Sequence, residues 1–414
     1  MRLPSSCLRG LFAWLVLLGS LSPIAHAGDW PQVLGPNRTG VAEGETLPDK
    51  LPADLKPVWS LPAGEGFAGP AVAKGRAYLF HRVDDEERLD CRDLRTGKEI
   101  WSRAFPTTYR GSISEDNGPR CVPLVQGDAV YLFGAAGTFH AVQRDTGELL
   151  WSRNLAKEYS AQEGYFGFGS SPLLVADRIL VNVGGKGGAG VIALDPKTGK
   201  TIWTAVDDAA SYSAPVVAQI DGRPLALVIT RLNFVALDPK AGTVVAKSPF
   251  GQRGPTVNAA SPVVFGEQVF LTASYGIGAQ ILRFTANGLD TEWDSGDTIS
   301  SQYTTPILHE GHLYAIDGRE DAGVARLVCF DHTKREVRWA EDGFGMATLI
   351  RAEDKLLLLK TNGTLVLARA TPRKFEPLGE ATLFSSTTRA LPALSEGLFV
   401  ARDVKSWRAW QISR

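Results

Sequence analysis

The chain has 414 residues, with 44 Lys plus Arg against 45 Asp plus Glu, 44% hydrophobic and 21% charged. That balance is that of a core-forming protein and excludes collagen-like, coiled-coil and tail-like chains. A formal charge of -1 without basic blocks gives no electrostatic footprint for a phosphate backbone, so nucleic acid is not an expected partner.

Taken in chain order, the first segment reads as an address. Arg2 and Arg9 precede an apolar run from Leu11 to Leu21, and Ala25-His26-Ala27 offers the small residues a signal peptidase accepts, so residues 1–27 are expected to be a signal peptide. The run is shorter than the roughly 20 apolar residues of a spanning helix, and no second one follows, so no transmembrane segment is expected after cleavage. Cys7 lies ahead of the apolar run, which does not suit a lipid-modified cysteine. A periplasmic or secreted chain is therefore expected. Residues 28–54 read as an extended lead and residues 55–414 as one repeat domain. Three cysteines remain after the cut, Cys91, Cys121 and Cys329. Buried thiols are expected, with a Cys91–Cys121 bridge left open.

The repeats organise everything after the lead. Val58-Trp59-Ser60, Ile100-Trp101-Ser102 and Leu150-Trp151-Ser152 share a phrase, and further tryptophans recur at Trp203, Trp293 and Trp339. Asp93 to Gly97, Asp195 to Gly199 and Asp238 to Gly242 each run from an Asp to a Gly four residues later, and Trp101, Trp151 and Trp203 each follow a Gly by four. Such a phrase encodes a hairpin whose Asp accepts backbone hydrogen bonds and whose Gly supplies positive φ. A second marker opens each unit: Pro70, Pro123, Pro172, Pro215, Pro262, Pro306, Thr348 in phase, and Pro392. These lie 42 to 53 residues apart, the length of one four-stranded propeller blade. The expected fold is all-β, an eight-bladed β-propeller of four-stranded antiparallel blades. The last unit is too short for four strands, so the N-terminal strand around Trp59 is expected to complete it beside Trp407 and Trp410.

The phrase Ala193-Leu-Asp-Pro-Lys-Thr-Gly-Lys-Thr-Ile-Trp203, with its relatives at 93–101, 141–151 and 329–339, resembles the tryptophan-docking repeat of PQQ-type, quinoprotein-like β-propellers. The resemblance covers nearly all of residues 55–414 and implies that Trp59, Trp101, Trp151, Trp203, Trp293 and Trp339 pack between blades. The same repeat is shared by pyrroloquinoline-quinone dehydrogenases and by non-catalytic envelope propellers, the outer-membrane assembly factor among them. The opening Asp29-Trp30-Pro31-Gln32 with Gly35-Pro36-Asn37-Arg38-Thr39-Gly40 also resembles exported propellers of planctomycete-type bacteria.

In a propeller, the loops from one blade's outer strand to the next blade's inner strand gather round the central channel. They carry a polar and aromatic set expected to bind a ligand or peptide: Arg110, Glu115, Glu163, Tyr165, Arg253, Asn258, Gln302, Tyr303 and Arg389. The dehydrogenase resemblance would imply a quinone between a Trp floor and a vicinal disulfide, with Ca²⁺ on Glu and Asn and an Asp base. Glu163 and Asn258 are the metal candidates and Asp297 the base candidate in that order along the chain. No two cysteines are adjacent, however, and the tryptophans are used in docking, closure and the lead, so no PQQ or Ca²⁺ is the first expectation. Gly184 to Gly190 runs into a strand and reads as a hairpin turn instead of a phosphate cradle, and His309-Glu310-Gly311-His312 as a surface turn. The chain is thus expected to be a monomeric, non-catalytic scaffold binding an envelope protein or a small polar ligand, by its mouth loops or by β-augmentation onto an outer strand. The alternative is a PQQ/Ca-dependent dehydrogenase acting on an alcohol or sugar.

Overall fold

The computed structural model describes residues 28–111 and 113–413; the signal-peptide expectation concerns residues 1–27, which lie outside them. Its 32 strands form eight four-stranded sheets. These are blade 1 (71–106), blade 2 (124–154), blade 3 (173–205), blade 4 (216–249), blade 5 (263–295), blade 6 (307–341), blade 7 (347–382) and blade 8 (393–411). Every pairing is antiparallel and, within blades 1 to 7, follows chain order. Each proline marker, and Thr348 in its phase, falls at the start of a first strand, because a residue without an N–H fits where the ladder has not yet begun. Blade 8 takes its outermost strand from Trp59–Pro62, in register Trp59↔Ala409 and Leu61↔Trp407. The ring is thereby closed by chain from both ends, as expected.

The structure shows why Asp, Gly and Trp recur together. Asp93, Asp195 and Asp238 accept the backbone N–H three residues on, at 2.9, 2.8 and 3.0 Å, and Gly97, Gly199 and Gly242 sit at φ near +70°. A Cβ on Gly97, Gly147, Gly199 or Gly242 would meet the ring of Trp59, Trp101, Trp151 or Trp203, respectively, at 2.5 to 2.8 Å. Each of these tryptophans belongs to the preceding blade. Its indole N–H then donates to a carbonyl of the same turn: Leu94, Arg144, Pro196 and Pro239 at 2.8 to 3.1 Å. One turn therefore offers a flat glycine face and a carbonyl to one neighbouring ring. Opposite the tryptophan, the third strand carries a small side chain, Cys91, Ala141, Ala193 or Cys329, and the ladder shifts by one residue just after it. Such a bulge bends the outer strand toward its neighbour. The three cysteines are buried free thiols, and burial pushes each up to about 12, which keeps them inert.

Trp293 departs from this pattern. In blade 6 the docking glycine is replaced by Arg335, itself at φ +62°, so Trp293 packs on Phe330 with ring centres 5.1 Å apart instead of on a bare turn. Trp339 recovers the bond, donating to the Thr371 carbonyl at 2.9 Å.

The lead also has a defined place. Because strands alternate direction, first-to-second and third-to-fourth turns lie at one face of the ring, while second-to-third turns and the loops between blades lie at the other. Residues 28–51 run across the first of these faces. Trp30 exchanges both backbone bonds with Val72 at 2.8 Å, and the Pro31 carbonyl accepts from Val125. Gly40 and Ala42 pair with Arg351 at 2.8 Å, Glu45 accepts from Gly397 N–H, and the Lys355 ammonium donates to the Leu47 carbonyl. Arg38, 4% exposed, donates to the Pro215 carbonyl at 2.8 Å, to that of Pro172, and to Gln32. Blades 1, 2, 3, 4, 7 and 8 thus all contribute a contact, and the channel is stopped at this face by chain and by one buried guanidinium. Burial lowers the Arg38 pKa to about 9, high enough that the charge persists at neutral pH.

Candidate functional site

With one end sealed, the channel is approached from the face of the inter-blade loops. There the side chains form a continuous polar arc. Asp116, in the loop after blade 1, accepts Gly66 N–H at 2.9 Å and Arg120 at 2.7 Å. The Arg120 guanidinium lies 5.0 Å from the centre of the Phe67 ring, and Arg389, from the loop before blade 8, lies 5.3 Å from the same ring. Arg389 in turn grips Glu320 with two bonds of 2.8 and 3.1 Å, and Tyr303 donates to the same carboxylate at 3.3 Å. Glu320 N–H donates to Gln302, whose amide donates to Tyr275 at 3.0 Å and to Asp321 at 3.2 Å. Residues of blades 1, 5, 6 and 8 are joined in this way without any disulfide. Charge-assisted, two-pronged Arg–carboxylate bonds fix geometry more firmly than isolated surface pairs.

Electrostatics follow the burial. Burial raises the Tyr303 phenol well above its ordinary range, and the neighbouring Glu320 carboxylate raises it further, so it stays a donor. Burial opposes the Arg389 charge, but Glu320 outweighs it and the pKa rises. Arg402, 1% exposed at the end of the second strand of blade 8, donates to the Gly64 and Asp403 carbonyls and has one nitrogen with no partner among the described residues. Beside the arc, Glu87 is 2% exposed, accepts Ala135 N–H at 2.7 Å and is pushed up to about 7 by burial.

The expected site residues divide by environment. Gln302, Tyr303 and Arg389 are brought together in the arc. Arg110 stands at the rim, paired with Asp85 at 2.7 Å, while Glu115 and Glu163 are exposed on their loops. Tyr165 donates to the Gly254 carbonyl at 3.0 Å and thereby holds the loop that carries the exposed Arg253. Asn258 is 1% exposed, and its amide donates to the Thr230, Arg231 and Phe250 carbonyls, the work of a loop latch. Asp297 is exposed and accepts from Ser295 within its own turn. Sequence reasoning passed over Phe67, Glu320, Asp321, Arg319 and Tyr275. The last four sit on second-to-third turns, which share the mouth face with the inter-blade loops by strand alternation alone. Gly184 to Gly190 is the hairpin turn of blade 3 and His309 to His312 the first turn of blade 6.

A quinone with Ca²⁺ does not fit these side chains. Glu163, Asn258 and Asp297 stand on three loops with no hydrogen bond joining them, and Glu163 and Asp297 are exposed whereas Asn258 is buried. Among the described residues no three His, Cys, Asp or Glu groups gather closely enough for a metal ion.

Comparison with known proteins agrees with the architecture. The chain is 24% identical over 255 residues to the outer membrane protein assembly factor BamB of Yersinia pestis, covering 59% of each. It is 29% identical over 164 residues to the quinoprotein alcohol dehydrogenase PedH of Pseudomonas putida, covering 36% of this chain and 25% of that protein. The chain thus spans between a quarter and three fifths of these relatives' length. Among solved structures, BamB from Moraxella catarrhalis superposes with a TM-score of 0.63 at 15% identity, over 87% of this chain and 99% of that one. A europium-containing methanol dehydrogenase gives 0.69 at 12% identity, over 92% and 91%. At such identities the likeness is one of fold. The family model described as outer membrane protein assembly factor BamB matches residues 52–162 and 85–341, more than half of the sequence, and the chain belongs to that family.

Proposed function

We propose that this protein is an exported, monomeric and non-catalytic scaffold of the cell envelope, which binds an envelope protein or a small polar ligand with its mouth loops. The observation that carries this reading is the arc Asp116–Arg120–Phe67–Arg389–Glu320–Tyr303, a rigid display of both charge signs around an aromatic ring at the open end of a channel whose other end is stopped. Recognition residues held by their neighbours lose little freedom on binding, which favours affinity at a small contact area. The kinship with BamB supports an envelope role; the alignment with a quinoprotein alcohol dehydrogenase favours the second reading, in which PQQ and Ca²⁺ support oxidation of an alcohol or sugar.

Immobilised chain incubated with envelope extract should retain a partner identifiable by mass, and Arg389→Ala and Tyr303→Phe should each weaken that retention while the fold persists by circular dichroism. Retention equal to wild type in both variants removes the mouth as the site. Calorimetric titration with PQQ and Ca²⁺, followed by dye reduction on alcohols and sugars, separates the second reading. Micromolar binding with turnover would replace the scaffold by an oxidoreductase, with Glu163, Asn258 and Asp297 as targets.

A further inference from the structure

The lead that stops the channel carries one buried carboxylate without a cation. Glu45 is 7% exposed, accepts the Gly397 N–H at 2.9 Å, and makes no ion pair among the described residues. Buried carboxylates elsewhere in the ring are compensated: Asp90 lies 3.2 Å from Arg92, and Asp317 lies 2.8 Å from Arg326. A carboxylate taken out of water is costly unless a cation answers it. The charged groups around Glu45 are engaged elsewhere. Arg95 holds Glu396 at 2.8 Å, and Lys355 donates to the Leu47 carbonyl and to Asp49.

What does reach Glu45 is the start of the lead. A Cβ on Gly28 would lie 3.4 Å from Glu45 Oε1 and 3.6 Å from the Glu396 nitrogen. The Gly28 nitrogen hangs from the same Cα, which puts it within about 6 Å of that carboxylate oxygen. Its place is fixed by the residues that follow, since Asp29 accepts the Lys74 N–H at 3.0 Å and Trp30 exchanges both backbone bonds with Val72. While residue 27 is attached, this nitrogen is a neutral amide. The Ala25-His26-Ala27 motif ends immediately before it. Hydrolysis of the Ala27–Gly28 bond adds one water, leaving a carboxylate on Ala27 and an α-ammonium on Gly28. The broken bond thus delivers a cation beside the carboxylate that lacks one.

We infer that Glu45 is the binding site for the chain's own new α-ammonium, so that removal of the signal peptide locks the lead across the ring. The inference rests on the export part of the proposed function and is independent of what the mouth binds. The chain exported with its own leader tests it. Intact mass should give Gly28 as the first residue. At pH 7 its α-amine should react with an N-hydroxysuccinimide ester at least about tenfold more slowly than that of the peptide Gly-Asp-Trp-Pro, because a nearby carboxylate raises the amine pKa by about one unit. Glu45→Gln, which keeps the acceptor for Gly397, should restore the peptide's rate and lower the melting temperature by about 1 to 2 °C. Three serines inserted between Ala27 and Gly28 carry the ammonium away, and in that background Glu45→Gln should no longer lower the melting temperature. An α-amine as reactive as the peptide's, reactivity indifferent to Glu45→Gln, or an equal Glu45→Gln effect in both backgrounds overturns the inference and leaves export and the reading of the mouth standing. A first residue other than Gly28 overturns it together with the cleavage site.

Discussion

Gly199→Ala gives the sharpest test of the blade-docking argument. Gly199 stands at φ +70°, where an L residue costs about 1 to 2 kcal/mol. Its Cβ would also meet the Trp151 ring at 2.6 Å, and overpacking of that kind costs about 1 to 3 kcal/mol more. Gly222 has the same φ of +70° with nothing within 4 Å of a Cβ, so Gly222→Ala carries the backbone penalty alone. Urea unfolding followed by far-ultraviolet circular dichroism should therefore place Gly199→Ala below Gly222→Ala. In a Trp151→Ala background, itself about 3 kcal/mol or more below wild type, the extra penalty at Gly199 should vanish, a coupling of about 1 to 3 kcal/mol. Equal midpoints for the two glycine variants, or a Gly199 penalty that persists without Trp151, would refute the idea that turn and ring are one docking unit.

Three further outcomes follow from buried polar groups. Arg38→Ala removes the donor from the Pro172 and Pro215 carbonyls, and should destabilise the chain by about 2 kcal/mol or more and speed proteolytic cleavage within residues 28–51, read by mass spectrometry of timed digests. Asn258→Ala leaves three carbonyls without their donor and should lower the thermal midpoint; a variant that keeps its midpoint but loses ligand binding would move Asn258 from latch to site. Two buried groups set opposite slopes across nearly the same pH window. Glu87 is held up to about 7 against an ordinary 4.5, so the folded state binds the extra proton and stability falls as pH rises from about 4.5 to 7. His140 is lowered from 6.5 to about 4 by burial and then by Arg103, so the unfolded state binds the extra proton and stability is lost as pH falls through that window. The two slopes offset each other in the wild type, so Glu87→Gln, which keeps the acceptor for Ala135 N–H, should unmask a stability that rises with pH by up to about 3 kcal/mol, and His140→Gln one that falls. Profiles unchanged in both variants would show that neither group governs them.

What could be read along the chain was whatever repeats locally. The period, the Asp-to-Gly turn and the following Trp lie within a dozen residues, and each copy reports the same backbone requirement, so eight blades and the closing strand were legible before any coordinates. Even the unpaired cysteines were, since Cys91 and Cys329 occupy the small position opposite a docking ring. The partner of each ring was not, because Trp151 and Gly199 belong to different blades and only the ring's closure sets one against the other. The candidate site lay further beyond reach. Arg389 and Glu320 are 69 residues apart, and Arg38 meets carbonyls 134 and 177 residues away. No local propensity records such pairings. A central channel brings together the ends of every blade at once, so its stopper and its charged arc were decided only by the tertiary structure.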